Sequence, residues 1–91
     1  MAINTTSLFT QVISTSTFTI TQSMGLRSAS FILISGTGRF KGTKPIGSTA
    51  SDYVPLVIGQ PVTISADGPD VLDQVEIDSA GGGVINLMAK Q

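Results

Sequence analysis

The residue types that most often carry chemistry are scarce in this chain of 91 residues, which has no histidine and no cysteine. The missing histidine removes the common general base at neutral pH, and the missing cysteine removes the thiol nucleophile. Their absence also removes the ligands that most zinc sites use. The sequence therefore predicts a protein that is not an enzyme and that uses no cofactor.

A group of carboxylates between residues 67 and 78 comes nearest to a metal or acid–base site. Its members are Asp67, Asp70, Asp73, Glu76 and Asp78. Calcium takes about six to eight oxygen ligands, but this spacing lacks the alternating positions and closing glutamate of an EF-hand loop. Glycosidases also use two carboxylates, yet these crowd one turn and strand of a chain too small for a substrate cleft. We predict no catalytic or metal site here, and the sequence leaves calcium binding by this acidic turn open.

Two further patterns resemble catalytic or binding motifs only superficially. The glycine-rich segment 36–42 would bind phosphate only if it opened a helix, whereas Lys44 and Pro45 follow it in a loop. We therefore predict a hairpin turn there. Serines and lysines are both present, but nothing in the sequence places one beside the other as a nucleophile and its base.

Charge is sparse and unevenly distributed along the chain. Charged residues make up 12% of the sequence and the net charge is -1, which gives no long-range attraction to nucleic acids or anionic membranes. Four of the five cations precede residue 45, and all six anions follow residue 51. This separation has two interpretations: the halves of neighbouring subunits attract each other, or both halves meet, or are solvated, within one chain. No apolar stretch is long enough to span a bilayer, and no positive charge precedes Arg27, so a signal peptide is not expected.

Alternating and short apolar runs predict an all-β fold. In segment 17–21, Phe18 and Ile20 fall on one face and threonines on the other, while segment 29–34 is apolar on both faces. Pro55 favours a sheet edge or a bulge, because proline cannot donate to the ladder. We predict a small antiparallel β-sandwich, jelly-roll-like, of six to seven short strands over 17–91, preceded by an N-terminal arm or short first strand over 1–16. The predicted strands lie at 17–21, 29–34, 53–58, 62–66, 72–78 and 84–89, and the turn in segment 36–42 leads into one more short strand.

The small size of this domain leads us to expect that the chain associates with copies of itself. A domain this small buries too little apolar surface to be robust alone, and oligomerisation is the reinforcement that remains without disulfides or good metal ligands. Strands that are apolar on both faces need a second cover. The predicted oligomer interface consists of Phe31, Leu33, Val84 and Met88. The predicted anchors of the N-terminal arm are Ile3, Leu8, Phe9 and Val12.

Three segments resemble the small all-β structural proteins of tailed bacteriophage virions, namely capsid decoration proteins, head fibres and their bases. They are the Ser/Thr-rich segment 1–16, the run 53–64 and the glycine-led terminal strand 83–88. The resemblance covers most of the chain in style and rests on no exact motif. It implies a β-sandwich that trimerises and attaches to a capsid or tail protein of the virion through its N-terminal arm, with no catalytic residues.

A small monomeric module that binds a ligand such as a carbohydrate is the alternative function. Sugar sites normally offer exposed aromatic rings, but this chain has no tryptophan and one tyrosine, Tyr53. Phe40 is the other ring that we expect near the surface. This shortage favours the structural protein over the binding module.

Overall fold

The computed structural model describes residues 8–42 and 53–91, and these segments form an antiparallel all-β fold. The predicted fold class is confirmed, with eight strands in the described segments. The strands are β1 Leu8–Ser14, β2 Thr17–Ile20, β3 Ser28–Ser35, β4 Arg39–Lys41, β5 Val54–Pro55, β6 Val62–Ser65, β7 Val75–Asp78 and β8 Val84–Lys90. One turn of 3-10 helix at Gln22–Met24 lies between β2 and β3.

The strands form two four-stranded sheets whose topology is that of a jelly roll. Sheet A has the order β1-β8-β3-β6, and sheet B has the order β2-β7-β4-β5. The first strand pairs with the eighth, the second with the seventh, the third with the sixth and the fourth with the fifth, all antiparallel. The chain is thus one long hairpin rolled into two layers, as the jelly-roll prediction implied.

The core lies between the inner faces of the two sheets. On β3 the odd-numbered residues point inward, so that Phe31 and Leu33 are each 1% exposed. Aromatic pairs join the layers at two places: Phe9 of β1 stacks on Phe18 of β2, and Phe31 of β3 meets Phe40 of β4 edge to face. The buried apolar residues are Ile13, Ile20, Leu26, Ala29, Phe31, Leu33, Leu56, Leu72, Val75, Ile77, Ile85, Leu87 and Ala89.

The first strand is a full member of sheet A. Residues 8–14 pair with 84–90 along their whole length, so this part of the segment 1–16 forms the short first strand that the sequence allowed. The alternation of Phe9 and Ile13 toward the core explains why it is a strand and not a helical turn. Pro55 lies on β5 at the edge of sheet B, as predicted for a residue without a backbone donor.

The predicted hairpin in segment 36–42 is wrong. Strands β3 and β4 belong to different sheets, so the segment carries the chain around a corner from sheet A to sheet B. Gly36 adopts φ 72°, and a Cβ there would overlap the carbonyl oxygen of Gly82. A Cβ on Gly83 would overlap the carbonyl oxygen of Thr37. The two glycines are needed because this corner and the β7–β8 turn pack backbone against backbone.

Candidate interaction surface

The outer face of sheet A consists of the side chains that alternate with its core residues. Across the four strands, Thr10, Met88, Ser30 and Thr63 lie at one level. At the next level lie Val12, Asn86 and Ile32. Lys90, at one end, is the only charged residue in the strands of this sheet. We call this surface the neutral face.

A shallow groove of about 570 Å³ runs over the neutral face. Its most exposed apolar side chains are Val12, 62% exposed, and Met88, 53% exposed. Short polar side chains flank them, and the hydroxyls of Ser30 and Thr63 hydrogen-bond each other at 2.8 Å. The lining consists of Thr10, Gln11, Val12, Ser30, Phe31, Ile32, Pro61, Asn86, Leu87 and Met88. Burying such a surface desolvates no ionised group.

The predicted interface residues divide between the core and the neutral face. Phe31 and Leu33 occupy the core of the chain itself and have no side-chain surface left for a second subunit, so their assignment to the interface is wrong. The reason is strand parity: the other face of β3 presents Ile32 and Ile34. Val84 is half-buried and Met88 is exposed, and both alternate with core residues of β8.

The predicted arm anchors also divide between the two faces of a strand. Leu8 and Val12 point away from the core and are 44% and 62% exposed, whereas Phe9 packs against the core and stacks on Phe18 at 5.8 Å between ring centroids. Ile3 lies outside the described residues. Only Phe9 therefore anchors β1 to sheet B by its own side chain among the predicted anchors that the structure describes.

The outer face of sheet B contrasts with the neutral face because it is charged. The register places Arg39 of β4 opposite Asp78 of β7, and Lys41 opposite Glu76. Arg39 Nε donates to Asp78 Oδ2 at 2.9 Å, while the Ala80 N–H and the Thr17 hydroxyl donate to Oδ1 at 2.9 and 3.1 Å. The backbone hydrogen bond from Ala80 is the main reason that the pKa of Asp78 is lowered, and the hydrogen bond from Arg39 adds to it.

Tyr53 completes this charged cluster. The guanidinium carbon of Arg39 lies 3.8 Å from the centre of its ring, and Nζ of Lys41 lies 4.7 Å from it. The tyrosine hydroxyl donates to the carboxylate of Glu76. The basic and acidic parts of the sequence thus meet within one chain, which is one of the two interpretations that charge separation left open. The i, i+2 spacing of Arg39 with Lys41 and of Glu76 with Asp78 was the signal that each pair shares one strand face.

The acidic turn forms no metal cluster in the described segments, where no group of three or more aspartates or glutamates converges. Asp67 and Asp70 form a turn in which the Asp70 N–H donates to the Asp67 carbonyl at 3.0 Å. Asp73 accepts the Gln22 N–H at 3.0 Å. Within residues 8–42 and 53–91, no helix has the length and apolar character that crossing a bilayer requires.

Comparison with known proteins gave no relative. No protein-family model matches this chain, and neither a curated protein nor a solved structure matches it significantly. Fold and surface together define the protein as a small jelly roll with one neutral and one charged outer face. Function must therefore be argued from these surfaces, because a fold alone does not specify one.

Proposed function

We propose that this protein is a non-enzymatic structural component of a virus particle, a homo-oligomeric capsid decoration or fibre protein that resides in the virion. The neutral face is the observation that carries the proposal. The described residues of the face combine exposed Val12 and Met88 with hydroxyl and amide side chains, and the one charge of its strands lies at the rim. Interface cores are depleted in charge in the same way.

Several polar side chains that could serve in catalysis are already hydrogen-bonded within the fold, which argues against a catalytic role. Asp78 accepts three hydrogen bonds and is 7% exposed, and the carboxylate of Glu76 accepts the hydroxyl of Tyr53. The hydroxyl of Ser79 is buried against the carbonyls of Ile13 and Ser16. These groups stabilise the fold, and none of them is poised as a nucleophile with its base.

The resemblance to phage virion proteins supplies the finer part of the proposal. It favours three copies, joined through their neutral faces and attached to a capsid or tail protein. Burial of a few hundred Å² of apolar surface per copy would matter for a domain of this size, since each Å² contributes about 25 cal/mol.

The test is the solution mass of the full chain by light scattering after size exclusion. We expect the mass of three chains or of a multiple of three, and we expect Met88→Asp to reduce that mass threefold in a folded protein because it places a charge in the centre of the buried face. Val54→Asp is the matched control, since Val54 is 49% exposed on sheet B and its change leaves the neutral face intact. A wild-type mass that is not a multiple of three chains, or an unchanged mass of Met88→Asp, would contradict the proposed assembly.

The location in the virion has its own test. Mass spectrometry of particles purified from the source of this sequence should detect the chain in a fixed ratio to the main capsid protein. Absence from purified particles would contradict the location, whatever the oligomeric state.

Binding of a small ligand is the second candidate, favoured by the groove itself. A volume of about 570 Å³ lies within the range of small-molecule sites, and the lining offers the hydroxyls of Thr10 and Ser30 and the amide of Asn86. Against a carbohydrate, Tyr53 stacks with Arg39 and Lys41 on the other sheet, away from the groove. A glycan array with bound sugars, together with a monomeric mass, would favour this candidate.

A further inference from the structure

The exposed edge of β1 is unlike the three other sheet edges of this fold. β5 has two residues and a proline, β2 has four residues, and β6 has four residues preceded by Pro61. β1 has seven residues, LFTQVIS, with no proline, glycine or charge. Long uncharged edges are those that pair with another strand unless something protects them.

Alternate residues of β1 hydrogen-bond to β8, and this alternation shows which backbone groups of β1 point to the free edge. The Thr15 N–H donates to the Gly83 carbonyl at 2.9 Å, directly after the last pair of the β1–β8 ladder, Ser14 with Val84. Hydrogen-bonded residues alternate in an antiparallel ladder, so residues 9, 11 and 13 bond to β8. The N–H and C=O groups of Leu8, Thr10, Val12 and Ser14 therefore point to the edge. In the described segments, no strand pairs with β1 on that side.

We propose that a second copy of this chain pairs with that edge, so that two β1 strands run antiparallel about a twofold axis at Gln11. This register pairs Leu8 with Ser14 and Thr10 with Val12 of the other copy, and it overlaps all seven residues. The register also agrees with the alternation of hydrogen bonds along β1, because the residues that it pairs are those whose N–H and C=O groups point to the free edge. Two sheets A then become one eight-stranded sheet with about eight added backbone hydrogen bonds.

The uncharged sequence of β1 makes the edge self-complementary. A twofold axis brings the residues closest to it near their own copies, so a charge there would be repelled by the same charge of the second copy. β1 carries none, and the exposed Gln11 at the axis offers an amide that both donates and accepts. The contact is separate from the neutral face, so it adds a twofold interface to the threefold one proposed above and stands without it.

A cysteine scan tests the register, because the chain has no cysteine of its own. At the axis, Gln11 faces its copy in a non-hydrogen-bonded pair with about 4.5 Å between Cα atoms, within the range that a disulfide bridges. We expect Gln11→Cys to give a disulfide-linked dimer under mild oxidation. Thr10→Cys should not, because residue 10 lies two positions from its copy. Ser65→Cys, at the exposed edge of β6, is the control for random collision.

Mass measurements test the pairing without cross-linking. Thr10→Pro removes one outward N–H and no bond to β8, and it should halve the wild-type mass while the circular dichroism stays that of a β protein. Ser65→Pro makes the same change at the edge of β6 and should keep the mass. Equal cross-linking of Gln11→Cys and Ser65→Cys, no cross-linking of folded Gln11→Cys, or an unchanged mass of Thr10→Pro would each overturn the pairing. Met88→Asp, which tests the neutral face, should leave the Gln11→Cys cross-link in place.

Discussion

Asp78 and Arg39 face each other across β7 and β4, with 2.9 Å between Oδ2 and Nε, on the outer side of sheet B. The carboxylate is 9% exposed and the guanidinium side chain is 53% exposed, so solvent screens the pair from one side. The backbone N–H of Ala80 and the hydroxyl of Thr17 hold the other carboxylate oxygen. The site is therefore a carboxylate fixed by the fold more than an isolated surface ion pair.

This fixation predicts an acid-dependent stability. The pKa of Asp78 is lowered in the folded state, so the stabilisation is complete above the unfolded value of about 3.9 and is lost as the pH falls through the lowered folded value. Asp78→Asn should lower the free energy of unfolding by about 1 kcal/mol at neutral pH. Denaturant titrations from neutral to acidic pH should show the difference between wild type and variant shrinking in acid. A difference that is constant with pH would contradict this role.

Adjacent residues of β3 point to opposite faces of the sheet, so substitutions at two neighbouring positions should differ in their effect on stability. Leu33 is 1% exposed and Ile34 is 47% exposed. Leu33→Ala leaves a cavity and should cost about 2–5 kcal/mol, while Ile34→Ala should stay within about 0.5 kcal/mol. Chemical denaturation of both variants measures this. Similar losses at the two positions would mean that Ile34 is also buried, for example in an assembly.

The packing of the two corners predicts that Gly83 tolerates no side chain. A Cβ at this position would overlap the Thr37 carbonyl oxygen, whereas a Cβ on Gly42 meets no atom within 4 Å. Gly83→Ala should destabilise by about 1–3 kcal/mol because one backbone must move away from the other. Gly42→Ala is the matched control and should leave the midpoint of thermal unfolding within a few degrees of wild type. Equal midpoints of thermal unfolding for the two variants would show that the backbone at this contact moves apart at little cost.

Ser79 predicts a stabilising polar contact inside the fold. The residue is fully buried, its hydroxyl lies 3.0 and 3.1 Å from the carbonyls of Ile13 and Ser16, and it accepts the Ser16 N–H at 3.2 Å. Ser79→Ala should cost about 1–3 kcal/mol, since the Ser16 N–H and the Ile13 carbonyl each lose the hydrogen bond to this hydroxyl. Ser35→Ala, at an exposed serine of β3, should cost little when measured by the same denaturant titration.

The sequence could predict the class of fold because its signals are local. The alternation in 17–21 predicts β2, and the alternation of Val75 and Ile77 toward the core predicts β7. The proline at position 55 predicts an edge strand, which β5 is. β7 begins at Val75, later than predicted, because Leu72 donates its N–H to the carbonyl of Leu26 outside any ladder. Strand bounds depend on such long-range bonds, which no local pattern reveals.

Which face of β3 packs in the core could not be predicted in the same way, because both faces of this strand are apolar. In segment 29–34, Phe31 and Leu33 are as apolar as Ile32 and Ile34, so the alternation alone does not show which pair faces the core. The choice depends on the edge-to-face contact of Phe31 with Phe40 across the sheets, which is a tertiary contact. The corner at 36–42 likewise looks like a hairpin in the sequence, because glycines mark a reversal but do not show which sheet receives the next strand.

The nested strand pairing also bears on biosynthesis. β8 lies between β1 and β3 in sheet A, so the strand at residues 84–90 separates two strands made much earlier. A ribosome that has released residues 8–65 has released β1, β3 and β6 without the strand that joins β1 to the others. Sheet A therefore cannot form before residues 84–90 have emerged, and its assembly depends on contacts distant in sequence, which slow folding. Until then the apolar strands of this sheet lack their partners and are exposed to aggregation.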